Sequence, residues 1–552
     1  MKAIIKTMKY FLSMAALALV GAMTVSCSSD DNITDQPQQP VNKNNVVTLT
    51  TTVGFADDGT TRALTGTGVK TFAAGETMAV IYNNGTSTVK AVSHALEVSD
   101  ITDGGKKATF TFDLDTPNKT ENVTYIYPAA MANDDGTVNY SALNSQDGTL
   151  TSLAANLDYC TESGVWDGDN LPTLTLENQL AILAVTLKNE DGSSDITSGT
   201  TKLTVSDGTN TYDVNREAVA GPIYVAIRPT TEATIDITAT SGGKGYYKTL
   251  TTTKSYAASN GYPVSWKMTQ GANLSKLTAA YTAQDGDILT GTLGSNVKIS
   301  IADGASVTLK DVTINGTNDE DYGWAGISCE GDATITLKGT NTVKGFDEDY
   351  PGIHVPEGKT LTIQGEGSLN ASSNGYGAGI GGGNGVACGN IVINGGTVTA
   401  TGGDYAAGIG GGDNYLPCGN IVINGGTVTA TGGWWGAGIG SSNNGSCGAI
   451  TISGGTVTAT GGTDGAGIGS GETGSCGAIT ISGGTVTATG IDRAAGIGGG
   501  SYNKTCGAIT IKSTVTKVTA TKGSYAPNSI GNGYKGSGIS VNIATGANVT
   551  QN

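Results

Sequence analysis

Five cysteines stand at Cys388, Cys418, Cys447, Cys476 and Cys506, in steps of 30, 29, 29 and 30 residues. The text around them keeps the same register. AGIGGGNGVACGNIVINGGTVTATGG begins at Ala378 and returns in close variants from Ala407, Ala437, Ala466 and Ala495. A fixed period of this size means stacked supersecondary units, each burying its apolar face against the next. Each unit holds three short β-runs: Ala-Gly-Ile-Gly, then a run such as Ile391-Val392-Ile393, then Thr397-Val398-Thr399-Ala400-Thr401. Gly or Asn-Gly separates them and leaves no room for a helix. The period therefore predicts a parallel β-helix over residues 273–552, with coils of 29–30 residues about 4.8 Å apart.

The alternation assigns faces. Ile391, Ile393, Val398 and Ala400 should point inward, and Thr397, Thr399 and Thr401 outward. Shorter coils are expected at Trp324-Ala325-Gly326-Ile327 and at Tyr350-Pro351-Gly352-Ile353. Irregular coils around Ser529-Ile530-Gly531 and Ile539-Ser540-Val541 should close the rod, eight to ten coils in all. The cysteines form a column, inward or at a corner, where buried Cys acts as a small hydrophobe. Neighbours in such a column are close enough to bridge, but five cannot all pair. With only His94 and His354, and no Cys-x-x-Cys, a structural zinc site is not expected.

Composition agrees with an all-β chain. Gly supplies 86 of 552 residues, about 16%, roughly twice the usual ~7%, and with Thr it disfavours long helices. The formal net charge is −17, and Lys2, Lys6 and Lys9 all lie in the first 26 residues, which carry no acid. Without them the chain is at −20. A nucleic-acid ligand would need a basic footprint, and there is none.

Those first 26 residues read as a signal peptide, with lysines ahead of an apolar stretch from Tyr10 to Val25. Thr24-Val25-Ser26-Cys27 resembles a bacterial lipobox, although Thr24 replaces the usual Leu. The resemblance implies that Cys27 is acylated and becomes the new N-terminus, anchoring the protein to the outer membrane. Ser28-Ser29-Asp30-Asp31 looks like the acidic signal that sends some such lipoproteins to the cell surface. Residues 27–45 are polar, contain Gln-Pro-Gln-Gln-Pro, and read as a flexible tether.

Residues 46–270 show period-two alternation in Val47-Thr48-Leu49-Thr50, in Ala108 to Leu114, and in Ala233-Thr234-Ile235-Asp236-Ile237. Turn residues bound each run, which predicts an antiparallel β-sandwich. The run Leu180-Ala181-Ile182-Leu183-Ala184-Val185 is continuously apolar and is expected between the sheets. TTRALTGTGVKTFAAGETMAVIYNN (61–85), LENQLAILAVTLKN (176–189) and GPIYVAIRP (221–229) resemble the fimbrillin-like family. That resemblance implies a surface lipoprotein with pilus subunits among its partners. It also implies cleavage after an Arg near the N-terminus, with strand exchange into the groove so opened; Arg62 is the matching position. An uncut Arg62 in a permanently anchored lipoprotein is the other reading.

The solenoid resembles a carbohydrate-binding branch of right-handed β-helix proteins related in fold to pectate lyases. ADGASVTLKDVTING (302–316) and the GGTVTA repeats carry the likeness. Those lyases use a basic residue beside a calcium-bound carboxylate, yet no Lys or Arg lies between Lys359 and Arg493. An enzyme is not expected. Gly377-x-Gly379-x-x-Gly382 fits a dinucleotide fingerprint, but strand follows it where that motif requires a helix.

One turn of the coil gathers aromatic residues. Tyr376, Tyr405, Trp434 and Trp435 precede successive Gly-Ile strands and are expected to form a ridge that stacks on sugar rings. Two acidic runs, Asp319-Glu320-Asp321 and Asp347-Glu348-Asp349, lie toward its N-terminal end. Clustered carboxylates on neighbouring turns suit Ca²⁺, which takes six to eight oxygens. Equally, Asp and Tyr are ordinary turn residues. The sequence thus leaves open an adhesin or fimbrial subunit that binds glycan or another host surface ligand, a passive structural rod of the cell surface, and, third in rank, a polysaccharide lyase-like enzyme.

Overall fold

The computed structural model describes residues 46–55, 71–153, 157, 159–502 and 505–552. Cys27 and Arg62, with the lipidation and cleavage expected there, lie outside the described residues. The described chain is all-β, with only single-turn helical pieces.

The N-terminal region has two cores where the alternation suggested one sandwich. The first sits on an eight-stranded sheet that includes Val46–Phe55, Lys107–Asp115 and Val123–Tyr127. Ala108, Phe110, Phe112 and Leu114 are fully buried there, as the period-two pattern requires. The second gathers around Ala181–Lys188, which pairs antiparallel with Ile223–Ile227 and parallel with Gly261–Lys267. Alternation tells which face of a strand is buried; it does not tell which strand it meets. The parallel pairs Gly54↔Thr175 and Tyr262↔Leu183 join segments far apart in sequence, and these divide the region into two cores.

No linker separates this region from the solenoid. Strand Thr269–Asn273 pairs antiparallel at one end, Tyr247↔Thr269 and Tyr246↔Gln270. At its other end it pairs parallel with the first solenoid strands, Gly271↔Ile288 and Ala272↔Leu289. The expected boundary at 270–273 falls inside this strand. Beneath it Asp287 is fully buried. Its carboxylate accepts from Gln270 Nε2 at 2.9 Å, Tyr281 Oη at 2.6 Å and the Gln284 amide at 2.9 Å.

From Ile353 onward the solenoid keeps its register. Ile353, Ile380, Ile409, Ile439, Ile468, Ile497 and Ile530 pair in one parallel row, within a sheet of ten strands. Strand Thr397–Thr401 aligns with Thr427–Thr431, and so on through Thr485–Thr489. Ile391, Ile393, Val398 and Ala400 are buried and Thr397 and Thr401 exposed, as the pleat demands. A fourth piece of strand, beyond the three expected, occurs at the cysteines, where Cys418, Cys447, Cys476 and Cys506 pair in register. All five cysteines of the column are buried. Cys388 and Cys418 form a disulfide.

Candidate functional site

The repeat fixes where each turn residue goes. Tyr376, Tyr405, Trp435, Asp464 and Arg493 each stand four residues before the isoleucine of their Gly-Ile strand. Because those isoleucines are paired partners, the five residues form one column. Tyr376 and Tyr405 stack with centroids 5.7 Å apart and planes 13° apart. Tyr405 and Trp435 stack at 4.6 Å and 28°. Backbone bonds hold the rungs: the carbonyls of Tyr376, Tyr405 and Trp435 accept from the amides of Asp413, Asn443 and Glu472 at 3.1, 3.0 and 2.8 Å.

This geometry alters the expected ridge. A sugar ring needs van der Waals contact at its own face, and rings 4.6 Å apart admit nothing between them. Tyr405 thus spends both faces within the stack, and Tyr376 and Trp435 one face each. Trp434 stands one position earlier in the repeat, with Asp404 and Thr463 as its counterparts in the coils on either side. It is 68% exposed, whereas Trp435 is half-buried. Equivalent spacing does not make equivalent exposure: a one-residue offset on a tight turn points the side chain elsewhere.

A polar column flanks the rings. Asn384, Asp413, Asn443, Glu472 and Ser501 each follow their isoleucine by four residues, at the same spacing as the aromatics, and that spacing was the available signal for them. Burial raises the Asp413 carboxyl above its ordinary range, and the charge of Asp349 adds to the effect. Burial likewise raises Glu472, helped by Asp464. Asp464 is itself raised by burial, against the pull of Arg493, with which it forms an ion pair at 3.5 Å. At the other end, the charge of Glu348 raises the phenol of Tyr376.

The acidic runs sit on neighbouring coils, joined where the Asp319 amide donates to the Phe346 carbonyl at 2.9 Å. The carboxylates of Asp319, Asp347 and Asp349 are engaged in hydrogen bonds. Asp319 Oδ1 accepts from the Asp321 amide at 3.0 Å, and Asp347 Oδ1 from the Asp349 amide at 2.8 Å. Asp349 Oδ1 accepts from Asn384 Nδ2 at 2.6 Å. Glu320 and Glu348 are exposed. Among the described residues no group of three or more His, Cys, Asp or Glu is arranged to hold a metal ion.

A family model described as a beta helix repeat matches residues 361–384, 391–413, 421–443, 450–472 and 479–501. Among solved structures, the chain is similar to a fimbrial assembly protein from Parabacteroides distasonis, at 11% identity and TM-score 0.24, over 40% of this chain and 90% of that one. A fimbrial protein from Bacteroides ovatus aligns at 13% identity and TM-score 0.22, over 41% of this chain and 49% of that one. The tip fimbrial protein Mfa3 from Porphyromonas gingivalis aligns at 10% and 0.18, over 37% and 81%. No curated protein matches the chain.

Proposed function

We propose that the protein is an exported, surface-displayed adhesive subunit whose solenoid edge at Trp434 contacts uncharged sugar rings. The observation that carries this reading is the exposed indole of Trp434, mounted on a turn beside rings that stack on one another. An indole face packs against the C–H face of a pyranose, and Asp404, the counterpart of Trp434 one coil before, offers an acceptor for hydroxyl donors. No Lys or Arg lies between Lys359 and Arg493, so polyanionic glycans have no counter-charge in this stretch. Export and display rest on the lipobox-like and fimbrillin-like segments of the sequence.

The ring stack itself favours a second reading, a passive rod in which the aromatics brace successive turns. A glycan array separates the two. The full chain should bind neutral glycans, and Trp434→Ala should lose that binding with an unchanged melting temperature. Absence of binding by the unaltered chain would leave the rod.

A further inference from the structure

We propose that Cys476 and Cys506 form a second disulfide across adjacent coils, and that Cys447 is left as the single thiol of the column. Cys388 and Cys418 show what this geometry allows: their α-carbons lie 4.4 Å apart on neighbouring coils, and they are bonded. The bridge-permitting range of about 4.4–6.8 Å includes any directly paired residues of adjacent parallel strands, separated by about 4.8 Å. Cys418↔Cys447, Cys447↔Cys476 and Cys476↔Cys506 are all such pairs. Cys418 is already committed, so three cysteines remain for one bond.

The side chains choose between the two remaining pairings. Cys447 Sγ faces the Gly469 carbonyl at 4.0 Å and Cys506 Sγ the Gly498 carbonyl at 3.9 Å. The thiols of Cys476 and Cys506, free in the structure, also hydrogen-bond to each other. That contact holds the Cys506 thiol below its ordinary range and pushes Cys476 well above it, so Cys506 is the more acidic thiol of the pair. The oxidant is a disulfide of the dithiol-oxidant class, which export would supply. The Cys506 thiolate attacks one sulfur of that disulfide and expels the other as a thiolate, leaving a mixed disulfide. Cys476 then loses its proton and attacks the Cys506 sulfur, expelling the oxidant's second sulfur. Two thiols give up two protons and two electrons, and the oxidant leaves as a dithiol.

The sequence supplies the means of reading the bonds. With no Lys or Arg between 359 and 493, trypsin leaves four of the five cysteines in one fragment. Cleavage before aspartate separates 349–403, 413–463, 464–491 and 492–552, carrying Cys388, Cys418 with Cys447, Cys476, and Cys506 respectively. The full chain, secreted into an oxidising compartment, is denatured without reductant, alkylated and cleaved in this way. Mass spectrometry should find 464–491 joined to 492–552, and alkylated Cys447 on a 413–463 fragment joined only to 349–403. Cys447→Ser should keep both links, whereas Cys506→Ser should abolish the first. Fragment 464–491 joined to 413–463, or alkylation of both Cys476 and Cys506, would overturn the proposal.

Discussion

Tyr281 Oη donates to Asp287 Oδ2 at 2.6 Å, and the carboxylate that receives it is fully buried where the N-terminal sheet passes into the solenoid. Gln270 and the Gln284 amide complete its partners. Asp287→Ala would take the acceptor from three part-buried donors, of which Gln270 Nε2 keeps its bond to the Asp285 carbonyl at 2.8 Å. Each unsatisfied group costs about 1–3 kcal/mol, so a loss of roughly 3 kcal/mol or more is expected. Urea denaturation of the full chain measures it, and a loss below about 1 kcal/mol would mean that water replaces the carboxylate.

Gly440 illustrates a second constraint. Its φ is +140°, and a Cβ added there would lie 1.8 Å from the Gly469 carbonyl oxygen, on the rigid backbone of the next coil. Neither the backbone angle nor the space suits an L side chain. Gly440→Ala should cost about 3 kcal/mol or more through strain and overpacking together. Gly385 has φ of +64° but nothing within 4 Å of its added Cβ, so Gly385→Ala should cost only the milder left-handed penalty of about 1 kcal/mol. The ratio of the two losses, read from thermal melts, tests the clash separately from the angle.

The two adjacent tryptophans should behave oppositely. Trp434→Ala removes an exposed side chain and should change stability by no more than about 0.5 kcal/mol. Trp435→Ala removes a ring stacked on Tyr405, and should cost about 1–3 kcal/mol from lost stacking and burial. Equal losses would show that Trp434 also packs in solution.

A pH dependence follows from Asp413. Burial, with Asp349 nearby, raises its carboxyl above the 3.8 of the unfolded chain. Between these two values the folded state holds the proton and the unfolded state does not, so stability falls as pH rises through this window. At neutral pH the buried charge is a net cost. Asp413→Asn should therefore stabilise the protein at pH 7, with the gain shrinking as pH is lowered toward 3.8. A gain independent of pH, followed by chemical denaturation, would point to packing instead.

The solenoid was legible because its period repeats every feature together. Knowing Cys388 to Cys506 places Ile391, Val398 and Thr397 without further information. What spacing does not convey is orientation on a tight turn. Tyr405 and Trp435 stack while Trp434 projects, although all three belong to one aromatic cluster in sequence. In the N-terminal region the buried faces of Ala108 to Leu114 were readable and the partners were not, because parallel pairs such as Tyr262↔Leu183 leave no local trace. Strand Thr269–Asn273 hid for the same reason: its two ends answer to different neighbours.

That strand also gives the solenoid a template at its N-terminal end. Each coil takes its shape from the one before it, so an isolated coil has no template, but the first has Gly271 and Ala272 already held in an extended line. Coils are interchangeable in all but their turns, so inserting or deleting one whole repeat preserves every junction that remains. The reach of the rod is then a property that recombination between repeats can lengthen or shorten in single steps, leaving the seam untouched.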